Sequence, residues 1–279
     1  MPATNTEINN IAIFCDFENL ARGAEEAQYA RFDIQKILER LLLKGRIVVK
    51  KAYCNWGRFE AFKLAMHQAA FELIDIPPTG TAGKNSADIR LVVEAMDLCY
   101  TKDHVDAFVI ISGDSDFQPL VNKLKENRKT VIGVGVRKST SPLLVNSCDE
   151  FIYYDDLVRA EEQRKSPPPQ QQAKAPKAKA GKPGGKEDAG PSEDRRAAAL
   201  DLLMKTLDGM VEERGEDAKI FGSAIKSTLK RRDPGFDERY FGFRTFSNVL
   251  EAAQKGGLLT LERDEKSGGY IVHPRPIRG

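Results

Sequence analysis

Histidine is scarce in this chain. Only His67, His104 and His273 occur among 279 residues, too few and too scattered to build a zinc site. The four cysteines, Cys15, Cys54, Cys99 and Cys148, form no Cys-x-x-Cys pair, and each lies in or beside an apolar stretch. They read as reduced core residues of a cytosolic protein. No apolar run reaches the roughly 18 residues that a membrane span needs, and the opening MPATNTEINN lacks the apolar centre of a secretory signal. An excess of one charge is missing too. The 43 Lys+Arg against 41 Asp+Glu leave a net charge of +2, which by itself predicts no partner. The segment GTAGKNS is glycine-rich but lacks the order GxxxxGK[ST], which excludes a P-loop. Whatever chemistry remains runs on oxygen ligands and carboxylates.

The composition changes after about Arg159. The stretch EEQRKSPPPQQQAKAPKAKAGKPGGKEDAGPSED has almost nothing to fill a core. Such a segment cannot offset its chain entropy and reads as a disordered, extended linker. The expected organisation is a first domain over 9–157, a Pro/Lys/Ala-rich linker over 158–195 and a second domain over 196–274.

In the first domain short apolar strands alternate with helical patterns. Strands are expected at Ile11–Cys15, Arg46–Tyr53, Glu72–Ile76, Ala107–Ile111, Thr130–Val136 and Glu150–Tyr154. Helices are expected at Asp33–Leu43, Phe59–Phe71, Ala87–Tyr100 with Ser86 as its N-cap, Phe117–Asn127 and Pro142–Ser147. Continuous apolar strands have both faces covered, so the fold class is α/β, a parallel sheet flanked by helices.

In such a sheet ligands bind beyond the carboxyl ends of the strands. The first strand runs into Asp16, with Asn19 three residues on. The strand in VIISGDSDF runs into Ser112, Asp114 and Asp116, and Asp88 sits in the first turn of a helix feeding that strand. Two like charges about 4 Å apart cost about 1 kcal/mol in water and several times more in a partly dry cleft. A divalent cation removes that cost, and all-oxygen ligation favours Mg²⁺ or Mn²⁺. Asp16, Asp88, Asp114 and Asp116 are therefore the candidate metal-ligating and catalytic residues. Each has a plainer role available: Asp116 as N-cap of the following helix, Asp88 as a partner of a helix dipole, Asn19 as a turn residue. Glu18 is a weaker candidate. Glu94 lies about 120° around the helix from Asp88 and should not share its site.

The segments IAIFCDFENL, KNSADIRLVVEAM and FVIISGDSDFQPLVNKLKENRKTVIGVGV resemble the NYN domain, the LabA-like branch of the PIN-like nucleases. The resemblance covers about residues 9–157 and implies an Mg²⁺- or Mn²⁺-dependent ribonuclease with an acidic pocket. It implies Asp16 as the metal ligand of the first strand with Asn19 as its polar companion, Asp88 as the helix acid, and Asp114 and Asp116 as the last pair. Ser112 would orient a bound water or ligand. Glu94 stands where the family often has aspartate. RNA, single-stranded by expectation, needs cations and stacking surfaces around the acids. Lys84, Arg58 and Trp56 are the candidates, with Arg22, Arg137, Lys138 and Phe59 near the same edge.

The second domain reads as three helices closed by a hairpin in LLTLERDEKSGGYIVHP, a winged-helix-like unit. Around FGFRTFSNVLE it resembles the LOTUS, or OST-HTH, domain, which implies binding of RNA or a protein partner. Lys230, Arg231 and Arg232, with Lys226, Arg239 and Arg244, form a candidate phosphate-facing patch. The aromatic residues Phe236, Tyr240, Phe241, Phe243 and Phe246 read mostly as core.

The leading expectation is a cytoplasmic, divalent-metal-dependent endoribonuclease whose second domain recruits RNA or a protein partner. The alternative is a catalytically silent RNA-binding or regulatory adaptor on the same fold. A phosphatase of the kind that places Asp-x-Asp after its first strand fits poorly, because Asp16 is followed by Phe17-Glu18.

Overall fold

The computed structural model describes residues 8–28, 32–76, 86–165, 193–215, 219–264 and 268–274. They fall into two compact units. One runs to Val158 and includes Lys230–Phe236, and the other takes the rest of the chain from Arg159.

The first unit follows the order β1 (Asn10–Asp16), α1 (Phe17–Glu26), α2 (Ile34–Leu42), β2 (Arg46–Cys54), α3 (Glu60–Gln68), β3 (Glu72–Asp75), α4 (Ser86–Thr101), β4 (Ala107–Ile111), α5 (Gln118–Glu126), β5 (Thr130–Gly135), α6 (Pro142–Ser147), β6 (Glu150–Tyr153) and α7 (Tyr154–Lys165). The six strands form one parallel sheet in the order β3-β2-β1-β4-β5-β6.

The apolar strands are buried on both faces, as their continuous patterns require. Alternate residues of β1 enter opposite cores. Ile11, Ile13 and Cys15 join one cluster, Ala12 and Phe14 the other. In β4, Ala107, Val109 and Ile111 go with the first, and Phe108 and Ile110 with the second. Helix starts carry the expected chemistry: Asp33 caps α2 through Gln35 N, and Ser141 caps α6 with Pro142 in its first turn.

Two helices differ from the sequence expectation. Helix α1 follows β1 without a break, because Asp16 both ends the strand and caps the helix through Asn19 N. Helix α7 continues to Lys165, and the next helix starts at Glu193, so helix occupies both ends of the segment read as linker. Leu157 and Val158 pack against the core, which anchors the first turns of α7. The rest of that segment, 166–192, lies outside the described residues.

The second unit contains α8 (Glu193–Arg214), β7 (Ile220–Phe221), α9 (Gly222–Arg232), whose last turn belongs to the first unit, α10 (Phe246–Lys255), β8 (Leu259–Arg263) and β9 (Tyr270–Pro274). Its strands pair antiparallel in the order β7-β9-β8. The β8–β9 hairpin stands where the sequence places it, while β7 is too short to carry a sequence signal. Phe241, Phe243 and Phe246 are buried, as a small unit's aromatics must be, and Tyr240 is half-buried.

Candidate active site at the switch point of the sheet

Strands β1 and β4 lie side by side at the centre of the sheet. From β1 the order runs outward through β2 and β3, and from β4 through β5 and β6. The order thus reverses between β1 and β4, and a crevice opens beyond their carboxyl ends. Asp16 ends β1, and Ser112, Asp114 and Asp116 follow β4.

Asp16 is the centre of a hydrogen-bonded knot. It is only 7% exposed. Its Oδ1 accepts the Asn19 backbone N–H at 3.2 Å, and its Oδ2 accepts the Ser112 hydroxyl at 3.0 Å. Ser112 Oγ in turn accepts the Asp114 N–H at 3.2 Å. The Asn19 side-chain oxygen accepts the Gly113 N–H at 2.8 Å. The two segments are therefore tied by Asp16–Ser112 and again by Asn19–Gly113. Gly113 is required by space: a Cβ there would strike the Ser139 carbonyl oxygen and stand 2.9 Å from Thr140 Cα. The Gly113 carbonyl accepts Ser141 N–H at 2.9 Å, which fixes the loop from the other side.

Asp114, and not Asp116, is the helix cap. Its Oδ1 accepts Asp116 N–H at 3.0 Å and starts a 3₁₀ turn, Ser115–Phe117, ahead of α5. This corrects the sequence expectation. The extra turn moves the cap two residues upstream and places Asp116 in the first turn.

The electrostatics identify the acids as one cluster. Burial pushes the Asp16 carboxyl up to about 7, and the fields of Asp88 and Asp114 push the same way against the Asn19 and Ser112 hydrogen bonds. Burial also raises Asp88, followed by the fields of Asp114, Asp116 and Glu18. Asp16 thus feels Asp88 and Asp114, and Asp88 feels Asp114 and Asp116. Among the described residues, however, no three His, Cys, Asp or Glu side chains come together as a metal-holding group. The acids are near enough to repel and not yet close enough to enclose an ion. By donor chemistry they fit a hard cation: carboxylate oxygens with a hydroxyl and an amide oxygen beside them, and no thiolate or imidazole. Each Asp16 oxygen keeps a lone pair beyond the bond it accepts.

The other predicted residues separate. Trp56 is 2% exposed, its ring tilted over Phe17 at 5.0 Å between ring centroids, and its backbone N–H donates to Asp75 Oδ1. It is a core residue beneath the rim, and the expectation that it offers a face to a base is corrected by that burial. Phe59 packs edge-on against the same Phe17 ring. Arg58 is exposed and bonded to Glu18 at 3.2 Å, and Arg22 pairs with the same Glu18 oxygen. Arg137 is held by Asp156 at 2.9 Å and lies over the Tyr153 ring, and Lys138 donates to the Glu26 carbonyl. Lys230, Arg231 and Arg232 form the last turn of α9, away from the acidic crevice in sequence and in element. Lys84 lies outside the described residues.

Glu18 is the residue that sequence reading undervalued. It stands at the rim, carries two arginines and adds to the field at Asp88. The available signal was the Glu18–Arg22 spacing of four residues on a helix that the sequence reading did not foresee. Glu94 is occupied elsewhere, accepting from Lys51 at 2.7 Å, Tyr53 at 2.9 Å and Arg90 at 2.9 Å. Burial alone would raise its carboxyl, but those donors hold it below its ordinary value.

A family model described as "NYN domain" matches residues 10–155. An uncharacterized protein of Methanocaldococcus jannaschii is 29% identical over 144 residues, which cover 52% of this chain and 55% of that protein. The chain thus spans about half the length of that curated relative. A crystal structure of a protein of unknown function from Vibrio parahaemolyticus is similar over 55% of this chain and 96% of its own, at 26% identity and a TM-score of 0.48.

Proposed function

The chain belongs to the NYN domain family, part of the PIN-like nuclease superfamily, and on that premise we propose that it hydrolyses RNA phosphodiesters with a divalent cation. The observation that carries this reading is the buried Asp16, bonded to Ser112 across the switch point and raised to about 7 by burial, Asp88 and Asp114. Asp16 and Asp88, each pressed by neighbouring acids at a ligand-binding edge, are an arrangement that a cation relieves.

Asp16, Asp88, Asp114 and Asp116 would hold Mg²⁺ or Mn²⁺. The bound ion would neutralise phosphoryl oxygens and acidify a water. The chain's own residues do the positioning. Ser112 fixes Asp16 Oδ2, and the Asn19 amide locks the Gly113 backbone beside it, so both halves of the site move as one. Because Asp16 holds its proton up to about 7, a cation held there would have to displace that proton below that pH. Arg58 and Arg22, exposed and paired with Glu18 at the rim, are proposed phosphate contacts.

The proposed domain limits are 9–157 for the NYN unit and 196–274 for a LOTUS-like unit. The basic end of α9, Lys230–Arg232, would add a salt-dependent grip on RNA. Cytoplasmic single-stranded RNA is the proposed substrate.

The silent-adaptor reading is supported by one fact, that no three acids gather as a ready ligand set among the described residues. End-labelled single-stranded RNA incubated with Mn²⁺, Mg²⁺ or EDTA, beside Asp16→Asn and Asp114→Asn, decides between them. Metal-dependent cutting lost in both variants supports the nuclease. Binding without cutting in every condition supports the adaptor.

A further inference from the structure

Helix α4 bears an apolar stripe on its outer side. Its inner face is Leu91, Ala95 and Cys99, all buried. Ile89, Val93 and Tyr100 are 62%, 61% and 61% exposed, and Met96 is half-buried between them. At about 100° per residue these four lie within about 60° of one line along the helix. Such a repeat at i, i+4, i+7 and i+11 is the pattern of a helix face that meets another helix.

Charge occupies only one flank of the stripe. Arg90 and Asp97 lie about 40–60° to one side of Val93, and Ile89, Met96 and Tyr100 to the other or on the line. Arg90 bonds Glu94 through Nε and is 56% exposed. Asp97 is exposed, and among the described residues no cation pairs with its carboxylate. Among the described residues, Tyr100 OH has only a long 3.5 Å contact from Asn127.

We propose that this face is an isologous contact with a second copy of the chain, formed by two α4 helices packed antiparallel. A two-fold axis between Val93 and Glu94 maps each flank onto the same flank of the other copy. It sets Arg90 of each copy level with Asp97 of the other, giving two reciprocal ion pairs on the charged side. On the apolar side Ile89 falls in height between Met96 and Tyr100 of the other copy, and Val93 meets Val93. A parallel pairing has no such match, since it lays the charged flank of one copy along the apolar flank of the other. One helix per copy is a small interface beside the standard ~1,200–2,000 Å², so association is a concentration-dependent equilibrium. The inner faces carrying Asp88 stay in their own copies, and the inference stands whether or not the acids cut RNA.

Sedimentation equilibrium of the full chain across a concentration series tests it, with circular dichroism to check that each variant folds. The wild-type chain should dimerise, and Val93→Glu, at an exposed position, should be monomeric at every concentration. Asp97→Arg should weaken the dimer at least tenfold, and the exchange Arg90→Asp with Asp97→Arg should recover most of that loss. A wild-type chain that stays monomeric throughout overturns the proposal. So does a dimer that survives Val93→Glu, which would use another surface, or one indifferent to Asp97→Arg, which would exclude the antiparallel two-fold.

Discussion

The Ser112 hydroxyl donates to Asp16 Oδ2 at 3.0 Å, joining residues 96 apart in sequence, and its oxygen takes the Asp114 N–H at 3.2 Å. One small buried side chain therefore serves both acid-bearing segments. Ser112→Ala would strand the Asp114 N–H and leave Asp16 Oδ2 without its donor. A lost buried bond of this kind costs about 1–3 kcal/mol. Denaturant unfolding should show that loss, and RNA cleavage should fall with it. Ser112→Thr is a poor rescue, because the residue is fully buried and has no room for a methyl group.

The raised carboxyl of Asp16 makes a pH statement about the metal-free protein. The folded value of about 7 lies above the ordinary 3.8, so the folded state holds the proton more tightly than the unfolded one. Stability from this group is full below about pH 4, falls as pH rises, and is lost by about pH 7. At 1.36 kcal/mol per unit the upper bound is about 4 kcal/mol. Asp16→Asn, which stays neutral, should melt higher than wild type at pH 8 in EDTA and show a flatter profile between pH 4 and 7. A wild-type melting temperature that rises steadily over that interval in EDTA while the variant's does not would contradict the assigned burial.

The strands and most helices are legible because β4 is apolar throughout, β1 and β5 are apolar between their ends, and the helices between them carry a 3.6-residue stripe. The switch point followed from the same alternation, which is why Asp16 and the Ser112–Asp116 segment could be paired from sequence. The identity of the cap could not. Ser-Asp-Phe and Phe-Gln-Pro offer equivalent starts, and only the 3₁₀ turn selects Asp114. Trp56 was misread because a lone aromatic after a strand looks the same whether it faces a base or Phe17. Its burial depends on Phe17, brought from the start of α1, whose ring also takes Phe59 and Phe62 of the α3 segment. Glu18 was undervalued because α1 starts without a break after β1, so the helix that aligns it with Arg22 leaves no boundary signal.

Gly113→Ala should be far worse than an ordinary loop substitution. The added methyl meets backbone of Ser139 and Thr140, which cannot rotate away as a side chain does. The loop must shift, and with it the N–H that Asn19 holds. Overpacking of this kind costs about 1–3 kcal/mol. Asn19→Ala, which removes the same bond without the clash, should cost less, about 1 kcal/mol. Thermal unfolding of the two variants side by side gives the order, and the reverse order would refute the close approach.

Glu94→Gln separates a structural acid from the site acids. Its carboxylate is shared by Lys51, Tyr53 and Arg90, so removing the charge weakens two bonds between β2 and α4 and one within α4. The Lys51 pair is partly exposed, and about 1 kcal/mol is the expected scale after solvent screening. Cleavage by the folded fraction should remain at wild-type level, because Glu94 does not contribute to the fields at Asp16 or Asp88. A hundredfold loss of cleavage with unchanged stability would move Glu94 into the site.

Asp88→Asn tests whether the acids act as one cation site, with a readout that needs no turnover. In EDTA the variant loses a charge that presses on Asp16, so it should be slightly more stable than wild type at neutral pH. Added Mn²⁺ should raise the wild-type melting temperature, since a ligand bound only to the folded state stabilises it by about 2.7 kcal/mol at a hundred times its dissociation constant. The same titration should leave Asp88→Asn and Asp114→Asn nearly unmoved. The wild-type shift should also shrink below about pH 7, where a proton competes with the ion for Asp16. Equal Mn²⁺ shifts in wild type and both variants would place the ion elsewhere and leave the four acids without a shared ligand.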